Sequence, residues 1–127
     1  MILYSFRRCP YAIRARFTLI YGECLFEHRE ILLKEKPKSL LDFSPKGTVP
    51  VFLVGDKVID ESLDVIEWAL ENLPLCKELE LKGEAYKEAS SLILLNDTSF
   101  TTDLKKYKYP ERFKFTKEEE TQNLLNC

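Results

Sequence analysis

Apolar and polar positions along the first 75 residues alternate in patterns that predict seven secondary-structure elements. Short runs with a two-residue period predict strands, and longer segments with apolar residues three or four positions apart predict helices. Glycine, proline and small polar residues separate these segments and mark the turns. The predicted strands cover residues 1–6, 25–33, 49–54 and the chain from 58, and the predicted helices cover 11–21, 37–43 and 60–73.

Two of the predicted helices carry a clear apolar face. In the first helix, Ile13, Phe17 and Ile20 recur at helical spacing, and Gly22 is placed to end the helix. The third helix opens at Ser62, which we expect to be its N-cap. Its apolar stripe consists of Leu63, Ile66, Ala69, Leu70 and Leu73, and Pro74 stops the helix.

The order β-α-β-α-β-β-α predicts an α/β domain of the thioredoxin-like type. Gly55-Asp56 is a tight hairpin signal between the last two strands. In such a domain the first strand-to-helix junction lies at the carboxyl edge of the sheet, where ligands of open α/β folds gather. The residues between the first strand and the first helix are therefore the first candidates for a functional site.

Beyond residue 75 the chain becomes helical and charged. A long helix is predicted from residue 84 to about 95, residues 96–102 are expected to bend it, and residues 114–120 look solvated. We therefore predict a thioredoxin-like domain over 1–75, a linker over 76–83 and a partial all-helical domain over 84–127. The apolar stripe from Leu92 to Leu104 needs a partner, which is the first domain, another chain, or a remainder of the helical domain that is missing. We predict self-association, with a homodimer as the possible form.

Composition and charge narrow the functional classes. The chain has 127 residues, 45% of them hydrophobic, and a net charge of −2. That charge provides no overall field to select a nucleic acid or an anionic membrane. No apolar stretch reaches the roughly 20 residues that a membrane-spanning helix needs, and the N-terminus does not resemble a signal peptide. We expect a cytoplasmic protein.

The cysteine pattern favours free thiols over disulfides or metal ligands. Cys9, Cys24, Cys76 and Cys127 are widely and irregularly spaced. Position 12 is Ala12, so Cys9 has no dithiol partner, and no paired spacing supports a zinc site. We expect no metal, and any redox cycle would combine one protein thiol with an external thiol.

Cys9-Pro10 is the strongest candidate for chemistry. Pro10 suits the first position of a helix, which places Cys9 at or next to the N-cap. The positive end of the helix dipole, with the flanking Arg7 and Arg8 and the nearby Arg14, would favour the thiolate over the thiol. The alternative is a cysteine buried as a small hydrophobic residue.

Two further motifs indicate a ligand groove. A cis Val49-Pro50 bond would turn the main chain of Val49 toward a bound peptide, although an ordinary edge-strand proline is an equal alternative. Glu61-Ser62 opens a helix, where the amides would bind a carboxylate and Glu61 an ammonium group, although plain capping also explains the pair. Lys36 or Lys34 could meet a second carboxylate, or be solvated.

These motifs resemble the N-terminal domain of glutathione S-transferases. The closest variety is the cysteine-containing kind, the omega-class and glutaredoxin-2-like bacterial proteins. The matching segments are YSFRRCPYAIRAR at 4–16, KEKP at 34–37, SPKGTVPV at 44–51 and IDESLD at 59–64. Residues 96–110 also look like the start of the helical domain in bacterial members.

The resemblance implies glutathione as co-substrate and a role for each matched position. Cys9 would form a mixed disulfide with glutathione, and Val49 would pair with its cysteinyl backbone. Glu61 and Ser62 would hold the γ-glutamyl group, and Lys36 would approach the glycyl carboxylate. Members with this cysteine favour thiol transfer, deglutathionylation and dehydroascorbate-type reductions, whereas conjugating classes use Tyr or Ser to activate the glutathione thiol. The expected second substrate is a small electrophile or disulfide.

The C-terminal part departs from the family pattern, because full members carry several more helices that wall the second-substrate pocket. The leading hypothesis is a glutathione-dependent thiol transferase. The alternatives are a non-catalytic adaptor, like the stringent-starvation-type regulators that contact RNA polymerase, or an inactive truncated remnant. Those regulators lack the cysteine, so Cys9 favours the enzyme.

Overall fold

The computed structural model describes residues 1–79 and 82–113, and the chain forms two compact units, Met1–Glu80 and Leu81–Cys127. The predictions for residues 114–120 and for Cys127 lie outside the described residues. Among the described helices, none combines the length and the apolar character needed to cross a bilayer.

The first unit is a four-stranded mixed sheet with helices, and it confirms the thioredoxin-like prediction. The strand order is β2-β1-β3-β4, with β1 parallel to β2 and antiparallel to β3, and β3 antiparallel to β4. The elements are β1 (Ile2–Ser5), α1 (Pro10–Tyr21), β2 (Glu27–Glu30), α2 (Lys38–Phe43), β3 (Val51–Val54), β4 (Lys57–Ile59), α3 (Ser62–Asn72) and α4 (Pro74–Lys77).

Successive residues of each central strand enter two separate cores, because side chains alternate between the faces of a sheet. Leu3 and Phe52 join the core that contains buried residues of α1 and α3. Tyr4 and Val51 join the core that contains Leu40 of α2. The sheet is thus covered by α1, α3 and α4 on one face and by α2 on the other.

The predicted apolar face of α1 is wrong. Phe17 is 68% exposed and Ile20 is 64% exposed, whereas Ala12, Ala15 and Leu19 are the buried residues of this helix. Small side chains let α1 pack closely on α3, and Phe17 and Ile20 point outward. The N-terminus of α1 is as predicted, with Pro10 as its first residue.

The N-cap of helix α3 lies one residue earlier than the predicted Ser62. Glu61, with extended backbone, is the N-cap, and Ser62 is the first helical residue. Val65 and Ser62 are buried, whereas the predicted stripe residues Leu63 and Ile66 are only half-buried. The helix ends at Asn72, and Pro74 starts the short helix α4, whose last two residues lie in the segment predicted to be linker.

The described part of the second unit is helical. It contains α5 (Gly83–Leu95), a π-helical segment (Asn96–Phe100), α6 (Thr101–Lys108) and a short 3-10 turn (Pro110–Arg112). Where we expected a bend, the helical backbone continues with wider turns. No described residue of α5, the π-helical segment or α6 is buried.

Candidate functional site

Cys9 occupies the junction between β1 and α1, as the sequence predicts. Its backbone amide donates to the carbonyl of Phe6 at 3.0 Å, and its carbonyl accepts from the amide of Ile13 at 2.9 Å. These bonds close the turn and start the helix, so Cys9 is the N-cap of α1. The side chain is partly exposed, and Sγ lies 3.6 Å from the carbonyl oxygen of Val49.

The two hydroxyl groups of β1, which precedes this junction, are committed to structural bonds. Tyr4 is buried, and its hydroxyl donates to Ser39 at 3.0 Å and accepts from Arg29 at 2.8 Å. Ser5 is fully buried, and its hydroxyl accepts from Arg16 at 2.5 Å. Cys9 therefore differs from both residues, because it is a nucleophile that solvent reaches.

The arginines around Cys9 have different partners. The Arg8 guanidinium lies 5.6 Å from the centroid of the Phe6 ring, a cation–π distance. Arg14 donates to the Ser62 hydroxyl from Nε at 3.0 Å and from Nη2 at 2.8 Å. Arg14 was expected to act on the thiolate, and the structure assigns it to the start of α3.

The Val49-Pro50 peptide bond is cis, which is one of the two alternatives that the sequence left open. Both residues are buried, and they precede β3 directly. The Val49 carbonyl accepts the contact from Cys9, so the loop before β3 and the start of α1 meet at the thiol.

The start of α3 is tied to its surroundings by ionic and polar contacts. The Lys46 ammonium lies 2.5 Å from a carboxylate oxygen of Glu61 and 3.2 Å from one of Asp60. The Ser44 hydroxyl donates to the same Asp60 oxygen at 2.8 Å. The segment at 60–62 is therefore held by the 44–46 turn and, through Ser62, by Arg14.

These contacts shift two pKa values. The hydrogen bond from Ser44, supported by Lys46, lowers the pKa of the Asp60 carboxyl below its usual value. The hydrogen bond to Glu61, with a further contribution from Asp60, raises the pKa of Lys46. Lys46 stays an ammonium and Asp60 a carboxylate throughout the neutral range.

Lys46 is the residue that sequence reasoning missed. The sequence places Lys46 in a turn motif that by itself indicates no role for its charge. A basic residue in the SPKG turn, combined with the adjacent acids of Asp60-Glu61 in a predicted helix start, is a charge pattern that could have suggested the pair. Nothing short of the folded structure brings the two segments together.

Lys36 is exposed and lies beside Gly47, in the turn that also contains Lys46. Its Nζ is 3.2 Å from the position that a side-chain carbon would occupy at Gly47, where φ is +61°. The structure thus brings together Cys9 with Val49 and Pro50, and it brings Glu61 and Ser62 to the start of α3. Lys36 has no recorded hydrogen bond or ion pair with any of these residues among the described part of the chain.

Two of the other cysteines are interior residues. Cys24 and Cys76 are buried in the core that contains α1 and α3. Burial raises the pKa of both thiols, so they stay protonated at neutral pH. Within residues 1–79 and 82–113, no cluster of three His, Cys, Asp or Glu side chains is suited to hold a metal ion.

Comparison with known proteins agrees with this geometry. The family model of the glutathione S-transferase N-terminal domain matches residues 3–77. A probable maleylacetoacetate isomerase of Caenorhabditis elegans is 35% identical over 98 residues, which cover 73% of this chain and 45% of the relative.

Solved structures give the same result. The Tau-class glutathione S-transferase MiGSTU of mango, Mangifera indica, superposes with a TM-score of 0.79 at 24% identity, over 98% of this chain and 56% of that protein. Rice OsGSTU1 in complex with glutathione superposes with a TM-score of 0.54 at 28% identity, over 57% of this chain and 33% of that one.

The chain spans 45% of the length of the nematode relative and 56% of the mango protein. The family model covers more than half of the chain and contains every residue of the candidate site. This chain belongs to the glutathione S-transferase family.

Proposed function

We propose that this protein is a glutathione-dependent thiol transferase that works through a mixed disulfide on Cys9. The Cys9 thiolate attacks the glutathione sulfur of a substrate disulfide and forms a new S–S bond. The substrate sulfur leaves as a thiolate and takes up a proton. A second glutathione thiolate then attacks the Cys9-bound glutathione, which releases oxidised glutathione and restores the Cys9 thiolate.

The observation that carries this proposal is the position of Cys9 at the N-cap of α1 with a partly exposed Sγ. Helix N-termini favour thiolates because the first amides and the dipole present positive charge. In this proposal Pro10 and Arg8 support the thiolate. The committed hydroxyls of Tyr4 and Ser5 argue against the conjugating chemistry that a free Tyr or Ser would provide.

The proposed glutathione groove extends from the Val49-Pro50 loop to the start of α3. An extended peptide can pair with the main chain of Val49, and Lys36 is proposed to meet the glycyl carboxylate. Glu61 and Ser62 are proposed to hold the γ-glutamyl group. The Glu61 carboxylate still has a second oxygen for an ammonium group when Lys46 contacts the first.

We further propose that the glutathione domain covers residues 1–75, that 76–83 link it to helical residues 84–127, and that the chain belongs to the cysteine-containing, omega-like type. The proposed partners are glutathione and a small electrophile or disulfide, and the proposed assembly is a homodimer in the cytoplasm. Nucleic acids, membranes and metals have no part in the proposal.

The test is turnover of a glutathione mixed disulfide by the full chain, with the protein adduct measured by mass spectrometry. Cys9→Ser is expected to abolish both the adduct and turnover. Cys127→Ser is the matched control, because it also removes one thiol, and it is expected to keep both. Turnover that persists in Cys9→Ser overturns the mechanism.

The adaptor alternative predicts a different outcome. An adaptor should wash through immobilised glutathione and form no adduct, yet unfold in a single sharp transition. An inactive remnant should also fail both glutathione tests, and its thermal transition should be broad. Retention on the column together with the Cys9 adduct excludes both alternatives.

A further inference from the structure

Positive charge is concentrated at the N-terminal end of a chain that is negative overall. Residues 1–22 contain four arginines and no aspartate or glutamate, although the net charge is −2. Those four arginines all lie within seven residues of Cys9 in sequence: Arg7, Arg8, Arg14 and Arg16.

Two of these arginines point inward and hold the structure. Arg16 donates from Nη1 to Ser5 and to the Phe6 carbonyl, and from Nη2 to the Arg7 carbonyl, which fixes the turn before Cys9. Arg14 is bonded to Ser62. These hydrogen bonds hold the backbone around Cys9 and the start of α3 in place. We therefore assign Arg14 and Arg16 no direct contact with a substrate.

The other two arginines are presented to solvent immediately before the thiol. The Arg7 side chain is 80% exposed, and its nearest carboxylate, on Glu30, is 3.7 Å away. The same Glu30 oxygen accepts from the Arg7 backbone amide at 2.7 Å, so the main chain holds this carboxylate in place. Its ion pair with the exposed guanidinium is long and weak, which leaves the guanidinium open to a competing anion. Arg8 is also exposed, and its recorded contact is the face of the Phe6 ring.

We infer, on the basis of the proposed function, that Cys9 selects disulfide substrates with acidic groups next to the reacting sulfur, namely glutathionylated acidic peptide segments. The exchange step is the one given above: the Cys9–glutathione bond forms as the peptide's disulfide breaks, and the acidic peptide leaves as its thiolate. Arg7 and Arg8 attract the peptide's carboxylates while the two sulfurs approach.

The selection is local because salt screens charge over about 10 Å at 0.1 M ionic strength. Acidic residues that lie farther than this from Cys9 are therefore largely screened, whereas Arg8 is adjacent to Cys9 in sequence and Arg7 is two residues away. Complementary charge of this kind mainly raises the rate at which the two molecules meet. This rate increase becomes smaller as the salt concentration rises.

The experiment compares three short peptides that are identical except for two residues flanking a glutathionylated cysteine: two Glu, two Gln or two Lys. The measured quantity is the second-order rate of glutathionylation of Cys9 in the full chain. We expect the Glu peptide to react about tenfold faster than the Lys peptide at low salt. The ratio should approach one at about 0.5 M salt.

The double variant Arg7→Gln/Arg8→Gln should reduce the Glu-to-Lys ratio to about two or less. The matched control is Lys57→Gln, which removes the same type of charge from β4, two strands away from β1. It should leave the ratio unchanged. A ratio of rates is the right readout because a change in the reactivity of Cys9 itself affects all three peptides equally.

Two outcomes overturn the inference, and they differ in what else they overturn. Equal rates for the three peptides, or a preference for the Lys peptide, refute the substrate selection while the adduct on Cys9 still supports thiol transfer. Failure of every peptide to glutathionylate Cys9 refutes the proposed function and with it the substrate class.

Discussion

Removing the side-chain donors of Arg14 should lower the stability of the folded protein and leave the Cys9 thiol reactive. Arg14 lies on α1, and its Nε and Nη2 both donate to the hydroxyl of Ser62 at the start of α3. It therefore links the helix that begins at Cys9 to the helix that begins at the proposed glutamyl subsite. Arg14→Met keeps the apolar stem and removes the donors.

The expected loss of unfolding free energy in Arg14→Met follows from the geometry of the Arg14–Ser62 contact. A hydrogen bond to a charged group contributes roughly 1.5–3 kcal/mol, and a buried polar group left unpaired adds a similar penalty. Both Arg14 donors share one oxygen, at 3.0 and 2.8 Å, and Ser62 is only 3% exposed. We therefore expect Arg14→Met to lower the free energy of unfolding by about 2 kcal/mol, the effect of one strong bond.

Urea denaturation of Arg14→Met, Ser62→Ala and the double variant measures this contribution. The cycle isolates the Arg14–Ser62 pair from any other contact of Arg14, and the coupling should be at least about 1 kcal/mol. Arg14→Met should also weaken glutathione binding while iodoacetamide still modifies Cys9. Additive losses in the cycle, or an Arg14→Met variant as stable as the parent, would refute the reasoning.

Three further predictions concern packing, pH and thiol reactivity. Gly22→Ala should lower the free energy of unfolding, measured in urea, by about 2 kcal/mol, because a Cβ there would lie 2.7 Å from Cys76 Sγ. At Gly55, where φ is +57°, an added Cβ would meet no atom within 4 Å, so Gly55→Ala should lower the free energy of unfolding by only about 1 kcal/mol. Equal losses in the two variants would contradict the packing argument. The lowered pKa of Asp60 adds stability that is present above its unfolded value, near 3.8, and is lost as the pH falls further. Acid titration of unfolding should therefore show a shallower loss below about pH 4 in Ser44→Ala, and an unchanged profile would count against this hydrogen bond. Iodoacetamide at neutral pH should leave Cys76 unmodified in the folded protein, because burial keeps this thiol protonated, and peptide mapping that finds it alkylated would exclude that environment.

The sequence predicted the order of the elements in the first unit because each one carries its own local signal. The Pro10 helix start, the Gly55-Asp56 hairpin and the alternating strands all depend on residues close together in the chain. The position of Cys9 at the N-cap of α1 followed from the same local rules, and the structure agrees.

The buried faces of the helices could not be predicted in this way. Size and hydrophobicity favoured Phe17 and Ile20 of α1 as core residues, whereas the helix packs through Ala12 and Ala15. Close approach of one helix to another selects small residues, and that preference depends on the partner surface. The sequence of the helix alone does not contain it.

The polar contacts that support the site were also beyond local patterns. Lys46 meets Glu61 across 15 residues, and Arg14 meets Ser62 across 48. Such pairs form only when the sheet places distant segments side by side. The local sequence pattern predicted that residues 60–62 begin a helix. Their partners Lys46 and Arg14 are identified only in the folded structure.

The central claim is that Cys9 is a reactive thiol beside a groove that binds glutathione. The most direct test is the rate of iodoacetamide modification of Cys9 at pH 7, followed by peptide mass mapping, with and without the unreactive analogue S-methylglutathione. We expect modification about threefold faster than that of free cysteine, because a larger thiolate fraction is partly offset by lower nucleophilicity, and we expect protection by the analogue. A Cys9 that reacts no faster than free cysteine, or that the analogue leaves unprotected, would contradict it.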